Sequence, residues 1–212
     1  GVIVLAARRV PCETHNMHSI KILPGVMYYP DFVDEASATE ADVIEQVTPD
    51  LVQRTGSLHG RSYLVPRLEA WYGPHAYRFN GASFPARPLP PTLAALKVRL
   101  ECYLPDVEFS GCLVNVYRDG RDSVAWHSDD EPDMGDPVVA SISLGAPRDF
   151  LFRAINPVAA VASALLPNRA KVKLEPGSLL LMGWGVQTTY QHALPKRASA
   201  GRRINLTFRA PS

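Results

Sequence analysis

Trp126-His127-Ser128-Asp129-Asp130-Glu131 is the stretch around which the rest of this chain is arranged. In extended backbone side chains alternate, so His127 and Asp129 project from one face. A His and a carboxylate on one face, joined by a second His from elsewhere, make the ligand set of a non-haem Fe(II) centre. Three protein ligands then fill one triangular face of an octahedron and leave the other positions open. His192 supplies the distant imidazole. An HxD pair alone is common on protein surfaces; its weight here comes from the closing run Arg203-Ile204-Asn205-Leu206-Thr207-Phe208-Arg209. Read as a strand, it puts Arg203, Asn205, Thr207 and Arg209 on one face and Ile204, Leu206 and Phe208 on the other. Two guanidinium groups on a polar face suit a small dianion beside the metal, because each presents a planar fork of donors. The competing reading is a half-exposed edge strand with solvated arginines.

Composition narrows the class. At 212 residues the chain can bury one substantial core, so a single domain over 1–212 is expected, with a front part (1–110) and a core part (111–212). Hydrophobic residues make up 46% and charged residues 20%, ordinary for a globular domain. The net charge of +1 does not announce a nucleic-acid binder, so any such role needs a local basic surface. Three cysteines (Cys12, Cys102, Cys112) with no CxxC pairing argue against a disulfide framework or a zinc ribbon and for a reducing compartment. No apolar run approaches the ~20 residues of a membrane span, and Val2–Ala7 is too short for a signal-peptide core. The expectation is an intracellular monomer with no membrane contact, nuclear, or cytoplasmic in a prokaryote.

The order of signals sets the fold class. Residues 18–33 read as an extended lead-in ending at Pro24-Gly25. Residues 34–47 read as a helix capped by Asp34. Residues 51–64 read as a hairpin turning at Leu58-His59-Gly60. Pro91–Tyr103 reads as a second helix with Leu93, Leu96, Val98 and Leu100 on its buried stripe. From Cys112 onward there are eight short strand candidates, most separated by turn residues such as Asp119-Gly120 and Pro176-Gly177. Residues 154–170, rich in alanine, carry no clear signal. The fold class is therefore mainly β with flanking helices (α+β), a double-stranded β-helix or jelly roll, with the metal and anion groups on four of its strands.

In order along the chain, Pro66-Arg67, Trp71-Tyr72-Gly73, Asn115-x-Tyr117, Ser123-Val-Ala-Trp-His-Ser-Asp-Asp-Glu-Pro132, Ser141-Ile-Ser-Leu-Gly-Ala-Pro-Arg-Asp-Phe150 and Arg203–Arg209 resemble the AlkB family of 2-oxoglutarate- and Fe(II)-dependent dioxygenases. The likeness is strongest to its eukaryotic nucleic-acid repair branch and spans about two thirds of the chain. It implies that His127, Asp129 and His192 hold Fe(II). It also implies that Asn115 and Tyr117 join Arg203 and Arg209 around 2-oxoglutarate, with Asn205 and Thr207 assisting. The implied reaction consumes O2 and the keto acid, hydroxylates an alkyl carbon on a base nitrogen, and releases succinate, carbon dioxide and formaldehyde.

The same resemblance implies a substrate: alkylated DNA or RNA of the 1-methyladenine or 3-methylcytosine type, single-stranded or with the target base flipped from the stack. Tyr77 and Phe79 would lie in a lid over the base, Asp130 would read its exocyclic amine or positive charge, and Glu131 would support Asp130. His59 at the hairpin tip takes the place where duplex-opening relatives carry a bulkier group, so single strands are the expected substrate. Arg61, Arg67, Arg78 and Arg87, with Lys196, Arg197 and Arg202, are candidate phosphate contacts. Two other readings remain open: a hydroxylase of the same fold acting on protein or lipid, and a non-catalytic binding protein. An intact metal triad and both arginines weigh against the second.

Overall fold

The computed structural model describes residues 17–35, 38–79, 82–131, 134–158 and 166–212. The described residues fold into two main antiparallel sheets and two separate two-stranded hairpins. The first strands, β1 (Ile20–Leu23) and β2 (Val26–Tyr29), form a hairpin at Pro24-Gly25, followed by helix α1 (Glu40–Val47). The hairpin β3 (Thr55–Leu58) and β4 (Arg61–Leu64) leads into β5 (Leu68–Tyr72). A small hairpin, β6 (Tyr77–Phe79) and β7 (Ala82–Phe84), precedes helix α2 (Pro91–Tyr103). Then come β8 (Gly111–Tyr117), β9 (Val124–His127), β10 (Val138–Gly145), β11 (Arg148–Ala154), β12 (Arg169–Leu174) and β13 (Leu179–Met182). A one-turn helix α3 (Val186–Thr189) enters β14 (Tyr190–Leu194), and β15 (Arg203–Ala210) closes the chain.

The larger sheet runs β1-β2-β13-β10-β15-β8-β5 and the smaller β12-β11-β14-β9. This double-layered, antiparallel arrangement is the expected jelly roll. The larger sheet recruits β1, β2 and β5 from the front of the chain, so residue 110 is no boundary of the sheet.

Strand β15 explains why the sandwich has a polar heart. It is central, paired along its length with β10 and β8, and every one of its residues is buried. The edge-strand reading of its arginines is thereby excluded. Ile204, Leu206 and Phe208 pack with Val114, Val116, Ala140 and Ile142 beneath helices α1 and α2. Burying each such side chain contributes roughly 1.5–3 kcal/mol, and this layer anchors the strand. The alternate residues, Arg203, Asn205, Thr207 and Arg209, consequently point into the space between the sheets, where a second apolar cluster (Tyr28, Phe150, Phe152, Leu180, Tyr190) fills the remainder.

The helices differ from expectation in two details. Helix α1 starts at Glu40 rather than near Asp34, because Thr39 and Asp42 form a reciprocal capping box: Thr39 Oγ1 accepts from the Asp42 amide at 3.1 Å and Asp42 Oδ2 accepts from the Thr39 amide at 3.0 Å. In α2, Leu93, Leu96 and Leu100 are buried but Val98 is exposed, since a residue two positions from Leu96 and Leu100 faces the opposite side. The β3–β4 hairpin turns on His59 and Gly60, both with positive φ (50° and 75°), as a two-residue loop of the right twist demands. Part of the 154–170 segment, residues 159–165, lies outside the described residues.

Candidate active site

Strand pairing brings the two imidazoles together. His127, the last residue of β9, lies directly across from His192 on β14, and the rings stand edge to face at 4.3 Å between centroids. Asp129 follows where β9 has ended, and its backbone amide donates to Gln187 Oε1 at 2.9 Å. Gln187 sits on α3, one turn before β14, so the element that presents His192 also holds Asp129. The Asp129 carboxylate lies 3.9 Å from His127 Nε2 and 3.8 Å from His192 Nε2. One ligand atom from each of the three falls within 4.8 Å of the others, the one such grouping of metal-ligating residues among the described residues.

The electrostatics suit a cation. His127 Nδ1 is 2.8 Å from the Ala125 carbonyl, which favours a proton on that nitrogen and a lone pair on Nε2. Burial, helped by the neighbouring His127, pushes the His192 imidazole down to about 3, so it is neutral and able to ligate. Burial alone would raise Asp129, but Arg209, His192 and His127 together hold its carboxyl well below the usual carboxylate range. The site offers two imidazole nitrogens and one carboxylate, a donor set that fits Fe(II).

Beside it a cavity is lined by Asn115, Tyr117, Asn205, Thr207 and Arg209 together with the three ligand residues. Its walls are cross-tied: Thr207 Oγ1 donates to Asn205 Oδ1 (2.6 Å), Asn205 Nδ2 to Ser141 Oγ (2.6 Å), and Arg67 Nε to Asn115 Oδ1 (3.0 Å). Arg209 Nη2 donates to Asp129 Oδ1 at 2.8 Å, leaving its Nε and Nη1 buried without hydrogen-bond partners. Arg203 is fully buried, donates from Nη2 to Ser143 Oγ at 2.9 Å and leaves Nε unpartnered. Its guanidinium lies 5.2 Å from the centre of the Tyr117 ring rather than in the cavity wall itself. Burial lowers its pKa to about 10, the mark of a cation short of an anion. Orphaned donors on both buried arginines fit a small dicarboxylate.

The residues expected to touch a base are placed less uniformly. Tyr77 does not form an open lid. It is buried, stacked on Trp71 at 4.3 Å, covered by Arg209 at 5.4 Å, and its hydroxyl donates to Glu131 Oε1 at 2.5 Å. An aromatic ring flanked by Trp71 and Phe84 gains more from packing there than from facing water. The Phe79 side chain lies outside the described residues. Glu131 is buried with Oε2 unpartnered, whereas Asp130 is exposed. Arg67 is not a surface phosphate contact: it is buried, 2.7 Å from the fully buried Glu69, which Arg54 also pairs. Arg87 pairs with Asp50 at 3.0 Å, Arg197 with Asp149 and Arg202 with Glu40, while Arg61, Arg78, Lys196 and the hairpin-tip His59 are exposed.

An open cleft runs from the β3–β4 hairpin to the metal ligands. Tyr63 and Leu64 on one side and Trp126, His127 and Lys196 on the other line it, with Arg54 and Arg67 between. Gln187, Glu69 and Arg148 carry no signal as site residues in the sequence. Arg148, fully buried, donates from Nη2 to the carbonyls of Asp122 (2.9 Å) and Pro195 (2.6 Å) and lies 5.9 Å from the Tyr117 ring, tying two loops together behind the cavity.

The sequence matches the 2OG-Fe(II) oxygenase superfamily over residues 25–209. It is 40% identical over 216 residues to the human alpha-ketoglutarate-dependent dioxygenase alkB homolog 3, covering 95% of this chain and 74% of that protein. The rat protein of the same name is 41% identical, over 87% of this chain and 63% of its own length. The mouse DNA oxidative demethylase ALKBH2 is 35% identical over 80% of this chain and 74% of its own. Among solved structures, that of OsALKBH1 superposes with a TM-score of 0.59 at 20% identity, covering 91% of this chain and 100% of that one, a likeness of fold.

Proposed function

This chain belongs to the 2OG-Fe(II) oxygenase superfamily and to its AlkB group, whose members use Fe(II), 2-oxoglutarate and O2, and we propose that it demethylates N-alkylated bases of the 1-methyladenine or 3-methylcytosine type in nucleic acid. The observation that carries this reading is the cleft, which joins exposed aromatic and basic side chains directly to His127 of the triad. A single strand stacks on aromatic groups while its phosphates meet cations, and a flipped base reaches the metal ligands.

Within that reading His127, Asp129 and His192 hold the metal, and Arg203, Arg209, Asn115 and Tyr117 orient the keto diacid. When bound, iron and 2-oxoglutarate activate O2 and deliver one oxygen atom to the alkyl carbon. The protein's share is positioning and charge. Arg209 fixes the Asp129 carboxylate from behind and keeps two donors for the cosubstrate. Arg203 supplies a buried positive charge that water does not screen. Phe150, stacked on His192 at 5.2 Å, sets the plane of the imidazole and excludes water from that side.

Asp130 at the rim meets the cationic base, and the buried, half-satisfied Glu131 braces the same corner through Tyr77. Hydroxylation of the methyl group leaves an N-linked hemiaminal, which breaks to formaldehyde and a neutral base. The carboxylates then lose their attraction for the product, so binding favours the damaged state.

The test is to incubate the iron-loaded protein and 2-oxoglutarate with an oligonucleotide carrying 1-methyladenine or 3-methylcytosine. Formaldehyde and repaired base in equal amounts are expected. Iron-loaded protein that consumes 2-oxoglutarate yet repairs neither lesion would refute the assignment.

A further inference from the structure

The smaller sheet turns its aromatic side inward and leaves a basic face outside. On the edge strand β12, Arg169, Lys171 and Lys173 are exposed while Val172 and Leu174 are buried, so the three cations share the outer face. On the neighbouring β11, Arg153 stands directly opposite Arg169. Two like charges facing each other across a sheet repel and are selected against unless something offsets them. Arg153 is turned toward β9: its guanidinium covers the half-exposed Trp126 ring at 4.5 Å, and its Nε and Nη2 donate to Gln191 Oε1 at 3.0 and 2.8 Å. The acids near this face are Asp149, which takes Arg197 and stands 3.8 Å from Lys171, and Glu175, 2.9 Å from Lys173. The cations of β11 and β12 together with Arg197 outnumber these acids, and the ion pairs of the face leave Arg153 and Arg169 opposite each other rather than opposite a carboxylate.

Trp126 is where this face meets the cleft, being one of its walls and the residue before His127. An unbroken path therefore leads from the metal ligands over Trp126 and Arg153 to Arg169 and Lys171. We propose that this outer face is a second contact surface for the substrate, gripping the phosphates of the strand that flanks the target nucleotide, with Trp126 as the stacking platform at the crossing. The proposal rests on the reading of the substrate as nucleic acid. An indole capped by a held guanidinium offers a base a ring on one side of the path and a charge on the other. The opposed arginines gain an anion to share.

Binding of fluorescein-labelled, unmodified oligothymidylate of about 15 or about 5 nucleotides, lengths that bracket single-strand site sizes, tests this by anisotropy. The Arg169→Glu/Lys171→Glu variant, which leaves Arg153 on Trp126 in place, should weaken the longer strand about tenfold and reduce the salt slope by about 0.7 for each phosphate it no longer neutralises. The shorter strand, confined to the cleft, should bind as before. Arg169→Glu alone gives the same effect in smaller measure and serves if the double variant unfolds. Lys97→Glu on α2, behind the larger sheet, makes the same change of charge as Arg169→Glu alone and should leave both strands unaffected. Equal losses on both lengths, no loss on the longer one, or an equal loss from Lys97→Glu would overturn the proposal. Turnover of a methylated trinucleotide separates the two readings. Repair there with no length-dependent loss sinks the surface alone, whereas length-dependent binding without repair sinks the assigned reaction alone.

Discussion

The metal cavity and the cleft that leads to it lie side by side, sharing His127 and Arg67, yet they are built on opposite principles. In the cavity the polar side chains are almost all buried, and most stand on paired sheet strands, so its geometry is a by-product of the core. In the cleft Tyr63, Trp126 and Lys196 are exposed on a hairpin, a strand end and a loop, and only Arg54 and Arg67 are held, sharing the buried Glu69. A site that must present fixed ligands to a small ion and a small diacid profits from rigidity. A surface that follows a polymer profits from loosely held stacking and charge. If this contrast is correct, a change in the cavity should alter activity and stability together, and a change in the cleft should alter activity alone.

The largest effect is expected from Asp129→Ala. It removes a metal ligand and also strands Arg209, whose side chain and that of Asp129 are both almost completely buried. Loss of one partner of a buried pair destabilises by about 3–5 kcal/mol. Iron affinity should fall by more than about 100-fold, beyond what removing a ligand's supporting partner produces. Metal content after desalting and thermal unfolding measure the two. A protein that loses iron but keeps its melting temperature would show that the cavity is not fused to the core.

Arg203→Met should separate the two effects with opposite signs. Its guanidinium is buried with an orphaned Nε, and burial holds its pKa down at about 10, well below the free side chain's. A base whose pKa falls on folding binds fewer protons in the native state. Stability therefore rises with pH above about 10, and below pH 10 the penalty is present in full. Removing the charge should leave the apo protein as stable or more stable by about 1–4 kcal/mol. The Michaelis constant for 2-oxoglutarate should rise at least about 30-fold, the lower end of what truncating a buried charged hydrogen bond produces. Melting curves with and without 2-oxoglutarate read both: the wild type should gain from the keto acid and the variant should not. A destabilised apo variant would mean that Arg203 is held for the fold, not for an anion.

Where the two regions differ in construction they also differ in how far the sequence reveals them. The alternation in Arg203–Arg209 is legible because a two-faced strand has a strict period, and its polar side has no explanation in packing. The joining of His127 with His192 is legible as a ligand set and by the family resemblance, but the β9–β14 pairing that brings it about, with its register shift between His192 and Leu194, is not. Gln187 carries no signal, since its role follows from one turn of helix placed just before β14. Arg67 reads as a surface cation because isolated arginines usually are. The clue to its burial is Glu69 two residues on, which pairs it in the interior. The lid role of Tyr77 comes from the family resemblance alone, since an aromatic between turns looks the same in sequence whether it covers a cavity or stacks on Trp71.

Asp130→Ala probes the exposed flank of the metal site. The residue is exposed and takes no part in the metal set, whereas Glu131, its neighbour, is buried behind it. Stability and iron content should be unchanged. Repair of cationic 1-methyladenine should slow by about tenfold, the low end for a charged hydrogen bond because water screens the rim. Parallel kinetics on a cationic and a neutral lesion decide it: equal slowing on both would mean that Asp130 shapes the rim rather than reading charge.

The smallest effect belongs to His59. It sits at the tip of the β3–β4 hairpin with φ 50°, beside Gly60 at 75°. The left-handed region disfavours most L residues by about 1–2 kcal/mol but tolerates Asn. Substituting His59→Asn therefore keeps the turn and removes only the imidazole, so the melting temperature should stay or rise slightly. Turnover on single strands should change by less than about twofold, because the tip stands apart from the residues that line the cleft. An imidazole is also too small to hold a gap in a base stack open, so the ratio of double- to single-strand activity should not move either. A selective fall in duplex repair with an unchanged melting curve would show that His59 works as a wedge, and the cleft would then extend to the hairpin tip.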